Sequence, residues 1–163
     1  LVFIGDANNV ARSLARAAIL AGSQMVLACP RHYAFTPADI TSFGSAWGSQ
    51  VIQVHDPVEA VAGAHVLYSD VWTSMGQEAE KAERLAAFRG YQINDALIAK
   101  ARADVRIMHC LPAHRDEEIT DSAVEHPRSI IFDQAENRMH AQKAILRLLM
   151  APDAESVLAA ARC

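Results

Sequence analysis

The chain has 163 residues, 52% of them hydrophobic, and its 19 acidic and 15 basic side chains give a formal net charge of −4. This length suits one domain with a buried core. The excess of acidic side chains argues against a nucleic-acid partner. No apolar run approaches the roughly 18 residues that a membrane span needs. Three scattered cysteines provide neither a disulfide framework nor a zinc cluster, so a cytoplasmic location is expected.

Short apolar runs alternate with helical patterns along the chain. The runs predict six strands, at Leu1–Ile4, Met25–Ala28, Val51–Val54, Val66–Tyr68, Val105–Met108 and Ser129–Phe132. They are almost continuously apolar, as is typical of parallel strands that are covered on both faces. The strands therefore belong to a predicted parallel sheet.

Helices are predicted between these strands. An apolar stripe with helical spacing predicts the first helix, which Gly22 ends. Thr36-Pro37 and Asp56-Pro57 each combine an N-cap residue with a first-turn proline and predict two further helix starts. The alternation predicts an α/β fold, a doubly wound, mostly parallel sheet flanked by helices in a Rossmann-like three-layer sandwich.

One α/β domain is expected over residues 1–150, followed by a terminal tail over residues 151–163. The last helix has an apolar face formed by Ala141, Ala144, Ile145, Leu148 and Leu149. Leu1 already belongs to a predicted buried strand, whereas a native N-terminus is usually exposed. We therefore expect the sequence to be a fragment, or the ordered part, of a longer chain.

A long segment without a strand follows the fourth strand. It runs from Asp70 to about Tyr91 and contains a charged helix in which Glu80 and Arg84, four residues apart, are expected to pair. Insertions at the carboxyl edge of a sheet are often substrate lids. We therefore expect residues 72–75 to be mobile without ligand.

Polar residues follow the strands, where parallel sheets bind their ligands. The turn after the first strand has only Gly5 where a dinucleotide loop needs three glycines, which disfavours NAD. Asn8 or Asn9 in this turn either caps the next helix or binds a ligand. Asp70, after the fourth strand, either faces a pocket or caps a turn.

Cys110, after the fifth strand, has two interpretations. A single buried cysteine usually serves as a small hydrophobic residue. Its place beside His109, with His114 and Arg115 close in sequence, favours a functional thiol, because cationic neighbours favour the thiolate. Cys29 also ends a strand but lacks such neighbours, so we expect it to be structural.

Arg138 lies near the start of the predicted last helix. A guanidinium at a helix N-terminus suits an anionic or carbonyl ligand. The alternative is a surface ion pair with Glu136 or Asp133, which would contribute little.

Four segments taken together resemble the ornithine carbamoyltransferase family in order and spacing: GDANNV at 5–10, DVWTSMGQE at 70–78, MHCLPAHR at 108–115 and AENR at 135–138. The similarity runs from Leu1 to about Met150. Each motif is weak alone, but Ser-Met-Gly with His-Cys-Leu-Pro at this separation is highly specific. It favours the ornithine enzyme over the aspartate relative, which lacks that Ser-Met-Gly loop.

The resemblance implies transfer of a carbamoyl group from carbamoyl phosphate to the δ-amine of L-ornithine, giving L-citrulline in arginine biosynthesis, with no cofactor and no metal. It implies catalytic roles for Cys110 and Asp70. The matching positions that hold ornithine are Asn9, Asp70, Ser74 and, through its backbone, Met75. Those that contact the carbamoyl end are Cys110, Leu111 and Arg138.

The family also has an N-terminal domain with a Ser-Thr-Arg-Thr-Arg phosphate-binding segment, which is absent from these 163 residues. The family's trimer is assembled mainly through that domain. We therefore expect this chain to supply the ornithine-binding half of a homotrimeric enzyme and to be inactive alone. The alternatives are another amine carbamoyltransferase, acting on putrescine or acetylornithine, and a stand-alone amino-acid-binding module.

Overall fold

The computed structural model describes residues 1–74, 76–150, 152–153, 155–156 and 159. The chain divides into two compact units, Leu1–Ile131 and Phe132–Cys163. Every strand that the structure describes lies in the first unit. The predicted site residues that follow strands therefore belong to that unit as well.

The first unit is built on a five-stranded sheet in the order β3-β2-β1-β4-β5. All of its strand pairs are parallel. The strands are β1 (Val2–Ile4), β2 (Met25–Ala28), β3 (Val51–Val54), β4 (Val66–Ser69) and β5 (Arg106–His109). The predicted fold class is confirmed, and the chain reverses its direction of winding between the neighbours β1 and β4, where such sheets bind ligands.

The predicted sixth strand at Ser129–Phe132 is wrong. Ile107 of β5 bonds through its backbone to Arg128 and Ile130, at 3.1 and 2.9 Å, but only one isolated bridge forms. The helix that follows begins at Ile131, and Phe132 is 57% exposed on it. The apolar run therefore consists of an isolated bridge and the first turn of a helix. Its side chains do not share one buried environment, as those of a central strand would.

Seven α-helices surround or follow the strands in the described part of the chain. They are α1 (Asn9–Leu20), α2 (Pro37–Phe43), α3 (Pro57–Val61), α4 (Lys81–Ala87), α5 (Asp95–Ile98), α6 (Asp121–Val124) and α7 (Ile131–Met150). Short 3-10 turns lie at Arg31–Tyr33, Gly44–Ala46 and Glu78–Glu80.

The predicted starts of α2 and α3 are confirmed by their caps. Thr36 accepts a hydrogen bond from the backbone N–H of Asp39 at 3.2 Å, and the Asp39 carboxylate accepts one from the backbone of Thr36 at 3.0 Å. Asp56 accepts from the backbone of Val58 at 2.8 Å. These bonds satisfy N–H groups that have no partner inside the helix.

Two clusters of buried side chains cover the sheet. Val2 and Ile4 belong to one cluster and Phe3 to the other, because successive side chains of a strand point to opposite faces. All three are at most 3% exposed. The sheet is thus buried on both faces, and its carboxyl edge is a rigid support for the residues that follow the strands.

Helix α7 forms most of the second unit. Its predicted apolar face is exposed, with Ile145 at 54% and Leu149 at 79%. The helix is confirmed, but burial of that face is not observed. Among the described residues, no helix has the length and apolarity needed to cross a membrane.

Candidate functional site

The two predicted catalytic residues are in direct contact. Asp70 follows β4 and Cys110 follows β5, and these strands are neighbours in the sheet. The Cys110 thiol donates a hydrogen bond to Oδ1 of Asp70 at 3.0 Å, and the backbone N–H of Val71 donates to the same oxygen at 2.8 Å. Asp70 and Cys110 are each half-buried, so both remain accessible to a ligand.

Asn8 caps helix α1 and also contacts Asp70. Its Oδ1 accepts hydrogen bonds from the backbone N–H groups of Val10 and Ala11, both at 3.0 Å. Its Nδ2 donates to Oδ2 of Asp70 at 2.8 Å. Asn9 is the first residue of α1 and is exposed, so Asn8 is the cap and Asn9 remains available to a ligand.

A pocket of about 320 Å³ lies beside these residues and contains two of the predicted ornithine contacts, Asn9 and Ser74. It is lined by Asp6, Ala7, Asn8, Asn9, Arg12, Ser74 and Gln77. Gln77 fixes the backbone of Ser74 twice, since its side-chain oxygen accepts from the Ser74 N–H and its own N–H donates to the Ser74 carbonyl, both at 3.1 Å.

The segment that we predicted to be a lid is partly packed into the first unit. Trp72 and Thr73 are buried, and the Trp72 ring stacks on Phe88 with centroids 5.5 Å apart. Ser74 is half-buried at the pocket. Met75 lies outside the described residues, and mobility of residues 72–75 stays a prediction.

Cys110 is a thiol rather than a thiolate. Burial, followed by the hydrogen bond to Asp70 and the charge of that carboxylate, raises the pKa of Cys110 to about 12. Each of these influences favours the protonated sulfur. At neutral pH the residue is therefore a hydrogen-bond donor, and the thiolate suggested by its neighbours in sequence is wrong.

The cationic neighbours are engaged elsewhere. His109 is buried, with Nε2 lying 3.2 Å from the buried carboxylate of Glu118. His114 lies 3.5 Å from Glu117. Arg115 forms exposed ion pairs with Asp121 and Glu125. The expectation that these side chains would act on the Cys110 thiol was wrong because neighbours in sequence need not be neighbours in space. The side chains of this loop contact different partners.

Cys29 is fully buried in the core, as expected of a structural residue. Burial, and then the charge of Asp6, raises the pKa of the Cys29 thiol to about 12. Its sulfur has no access to solvent, so the residue serves packing.

Leu111 adopts the left-handed backbone region, with φ of 55°. Its N–H donates to Nδ1 of His109 at 2.9 Å, which holds the turn after Cys110 in place. Such a conformation costs about 1 kcal/mol or more in a residue other than glycine, and it is common at functional sites.

Helix α7 begins at Ile131, so Arg138 lies well inside it, and the prediction that Arg138 stands near the start of this helix is wrong. Arg138 is exposed and belongs to the second unit. Its expected alternative partner Glu136 lies 3.3 Å from His140 instead. Its contact with the carbamoyl end stays a prediction.

One group of side chains in the described chain has the ligand types of a metal site. His114, Glu117 and Glu118 place ligand atoms within 4.8 Å of one another. Glu118 accepts from the His114 backbone at 2.7 Å and faces His109, while Glu117 pairs with Lys81 at 2.7 Å. These pairings account for the grouping without an ion.

The model of one protein family matches residues 1–149, and its description is aspartate/ornithine carbamoyltransferase, Asp/Orn binding domain. The chain belongs to this family. The resemblance carried by the four sequence motifs is thereby confirmed.

Several ornithine carbamoyltransferases are similar to this carbamoyltransferase domain. That of Archaeoglobus fulgidus is 52% identical over 155 residues, which are 95% of this chain and 50% of the relative. The anabolic enzyme of Pseudomonas aeruginosa is 50% identical over 150 residues, 92% of this chain and 48% of the relative. The solved structure of the enzyme from Pyrococcus furiosus has a TM-score of 0.84 at 47% identity, covering 93% of this chain and 49% of that one. The chain thus spans about half the length of the relatives that it matches.

Sequence reasoning missed the role of Arg84 in this carbamoyltransferase domain. The predicted pair with Glu80 is present at 3.0 Å, but Arg84 is also only 6% exposed. Its guanidinium donates to Asp6 at 2.7 Å and to the carbonyl of Trp72 at 3.0 Å, and it lies over the ring of Tyr33 at 4.9 Å. No local pattern could have revealed this, because Asp6 is 78 residues away in sequence.

Proposed function

We propose that this domain binds L-ornithine. The full-length protein, of which it forms about half, transfers a carbamoyl group from carbamoyl phosphate to the δ-amine of that ornithine. The products are L-citrulline and phosphate. The observation that carries the proposal is the contact of Asp70 with Cys110 beside a pocket that contains Asn9 and Ser74. The names of the similar proteins, ornithine carbamoyltransferases, support the same substrate.

The pocket suits a small amino acid in volume and in charge. About 320 Å³ is at the lower end for small-molecule sites. Asn9, at the N-terminal end of the twelve-residue helix α1, suits the α-carboxylate, because its side-chain amide can donate a hydrogen bond and the helix dipole favours an anion. The carboxylate of Asp70, which lies beside the pocket and outside its lining, suits an ammonium group, and Ser74 lines the pocket as a further ornithine contact. Met75, outside the described residues, stays a predicted contact.

The reaction needs an uncharged amine. The δ-amine resembles that of lysine, with a pKa of about 10.4 in water, and must lose a proton before it attacks. The Asp70 carboxylate favours the charged ammonium, so its role is to orient the amine. Desolvation within a closed site works in the opposite direction and favours the neutral nucleophile.

The ammonium proton is lost before the attack, and the second proton, which the amine nitrogen releases as its bond to carbon forms, goes to the departing phosphate in this proposal. With its pKa raised to about 12, Cys110 is already protonated at neutral pH and is therefore a poor proton acceptor. The amine nitrogen forms a bond to the carbamoyl carbon, the bond from that carbon to the phosphate oxygen breaks, and phosphate takes the proton. When both substrates are bound, the single S–H of Cys110 turns from Asp70 to the carbamoyl oxygen, beside Leu111, where negative charge develops.

A competition assay on the full-length protein tests the substrate. We expect citrulline from carbamoyl phosphate and L-ornithine, with much lower kcat/KM for putrescine and N-acetylornithine. Putrescine lacks the α-carboxylate, and N-acetylornithine lacks a free α-amine. Preference for either of those amines would replace ornithine as the substrate, and no carbamoyl transfer at all would favour an amino-acid-binding module.

A further inference from the structure

Asn8 makes three hydrogen bonds with one side chain, yet the resemblance gives it no role in binding. Its Oδ1 is held by two backbone N–H groups at the start of α1, those of Val10 and Ala11. Because that oxygen is fixed, the amide nitrogen is fixed too, and it points at Oδ2 of Asp70 at 2.8 Å. The helix thus supplies a donor at a defined position beside the carboxylate.

Both oxygens of Asp70 are engaged as a result. Oδ1 accepts from the thiol of Cys110 and from the N–H of Val71, and Oδ2 accepts from Asn8. Val71 is the adjacent residue in the chain, so its bond alone leaves the carboxylate free to turn about its axis. Besides the thiol of Cys110 itself, Asn8 is the contact from another element that opposes this rotation, and it alone holds Oδ2 among the bonds described here.

We propose that Asn8 is a positioning residue that holds the Asp70 carboxylate against the thiol of Cys110. Asparagine suits this position because its side chain offers one acceptor and one donor group. Serine and threonine cap helices well but have a single oxygen there, and aspartate would set a second carboxylate against Asp70. The importance of this positioning for carbamoyl transfer rests on the proposed function, but the positioning itself does not.

The reactivity of Cys110 reports on this contact. Asp70 and, through a hydrogen bond, Tyr68 are titratable side chains that act on the thiol. Asp70 favours the protonated sulfur by both its hydrogen bond and its charge. If Asp70 turns away, the pKa of Cys110 falls, and alkylation at a fixed pH below that pKa becomes faster.

The test compares Asn8→Ser with a matched cap variant, Asn94→Ser. Asn94 caps α5 through the N–H of Leu97 at 3.0 Å. Iodoacetamide alkylation of the Cys110 peptide is followed by mass spectrometry between pH 7 and 10, with Asp70→Asn as the reference for complete loss of the carboxylate. Alkylation of the buried Cys29 monitors unfolding in every variant, and Asn8→Thr serves as the second variant if Asn8→Ser exposes Cys29.

We expect Asn8→Ser to speed the alkylation of Cys110 about tenfold, which corresponds to a fall of about one unit in its pKa. Asp70→Asn should give a larger increase, and Asn94→Ser none. An unchanged or slower rate in the folded Asn8 variant would overturn the proposal, because Asp70 would then stay against the thiol without Asn8. The assay contains neither ornithine nor carbamoyl phosphate, so its outcome is independent of the proposed function.

Discussion

The chemistry of Cys110 is set by the side chains that touch it rather than by those next to it in sequence. The sequence was sufficient to predict that Cys110 and Asp70 each follow a strand at the carboxyl edge of one parallel sheet, and the structure adds that the two strands are neighbours. It could not predict the protonation state of the thiol. That state depends on Asp70 facing the sulfur while His109 faces Glu118.

Replacing Cys110 and Cys29 by alanine, one at a time, should distinguish a role in catalysis from a role in core packing. In the full-length protein, Cys110→Ala removes the donor that the proposed function places at the reacting centre, and we expect kcat to fall by about two orders of magnitude with little change in melting temperature. Cys29→Ala leaves a cavity in the core and should lower the melting temperature while kcat is retained. A near-normal kcat in Cys110→Ala would mean that this thiol only packs.

The pKa of Cys29 predicts how its contribution to stability depends on pH. Its pKa is raised from 9.0 to about 12 in the folded chain, so folding favours the protonated thiol. The resulting stabilisation is complete below pH 9 and is lost as the pH rises from 9 to 12. Urea unfolding at pH 8 and pH 11 should therefore show a larger loss of stability in the parent chain than in Cys29→Ala. Equal losses in the two proteins would contradict this origin.

At the scale of single elements, the starts of helices were predictable and the contacts between elements were not. Thr36 and Asp56 mark helix starts because a cap is a local interaction within a few residues. The run Ser129–Phe132 misled because a short apolar segment fits either a strand or a helical turn. Arg84 was predicted to be paired on a surface helix, but its main partners come from other segments of the chain.

Arg84 should stabilise the strand-free segment from Asp70 to about Tyr91. Its contribution should be far larger than that of the exposed Arg115 to its own loop. Arg84→Met leaves the half-buried Asp6 and the carbonyl of Trp72 without their donor, and we expect a loss of about 3 kcal/mol in the free energy of unfolding. Arg115→Met, the control, removes two exposed ion pairs and should have a small effect. Urea unfolding of both variants measures the two losses in the free energy of unfolding. Equal losses would contradict the interpretation that Arg84 links different elements.

At the scale of the whole molecule, the proposed reaction has two substrates, and this chain is expected to supply the contacts to one of them. The predicted ornithine contacts lie on it, and about half the length of its relatives lies outside it. We expect the 163 residues alone to form no detectable citrulline, and light scattering of the full-length protein to give the mass of a homotrimer. Turnover by the isolated chain at about one per second or more would contradict the first expectation, and a monomer the second.

Ornithine binding by this chain is the most direct test of the account. Titration of the ¹⁵N-labelled chain with millimolar L-ornithine should shift the amide resonances of Asn9, Asp70 and Ser74. Putrescine, which has the amines but no α-carboxylate, should leave the resonance of Asn9 in place. The absence of shifts with ornithine, or identical shifts with putrescine, would contradict the assignment of this edge of the sheet to ornithine.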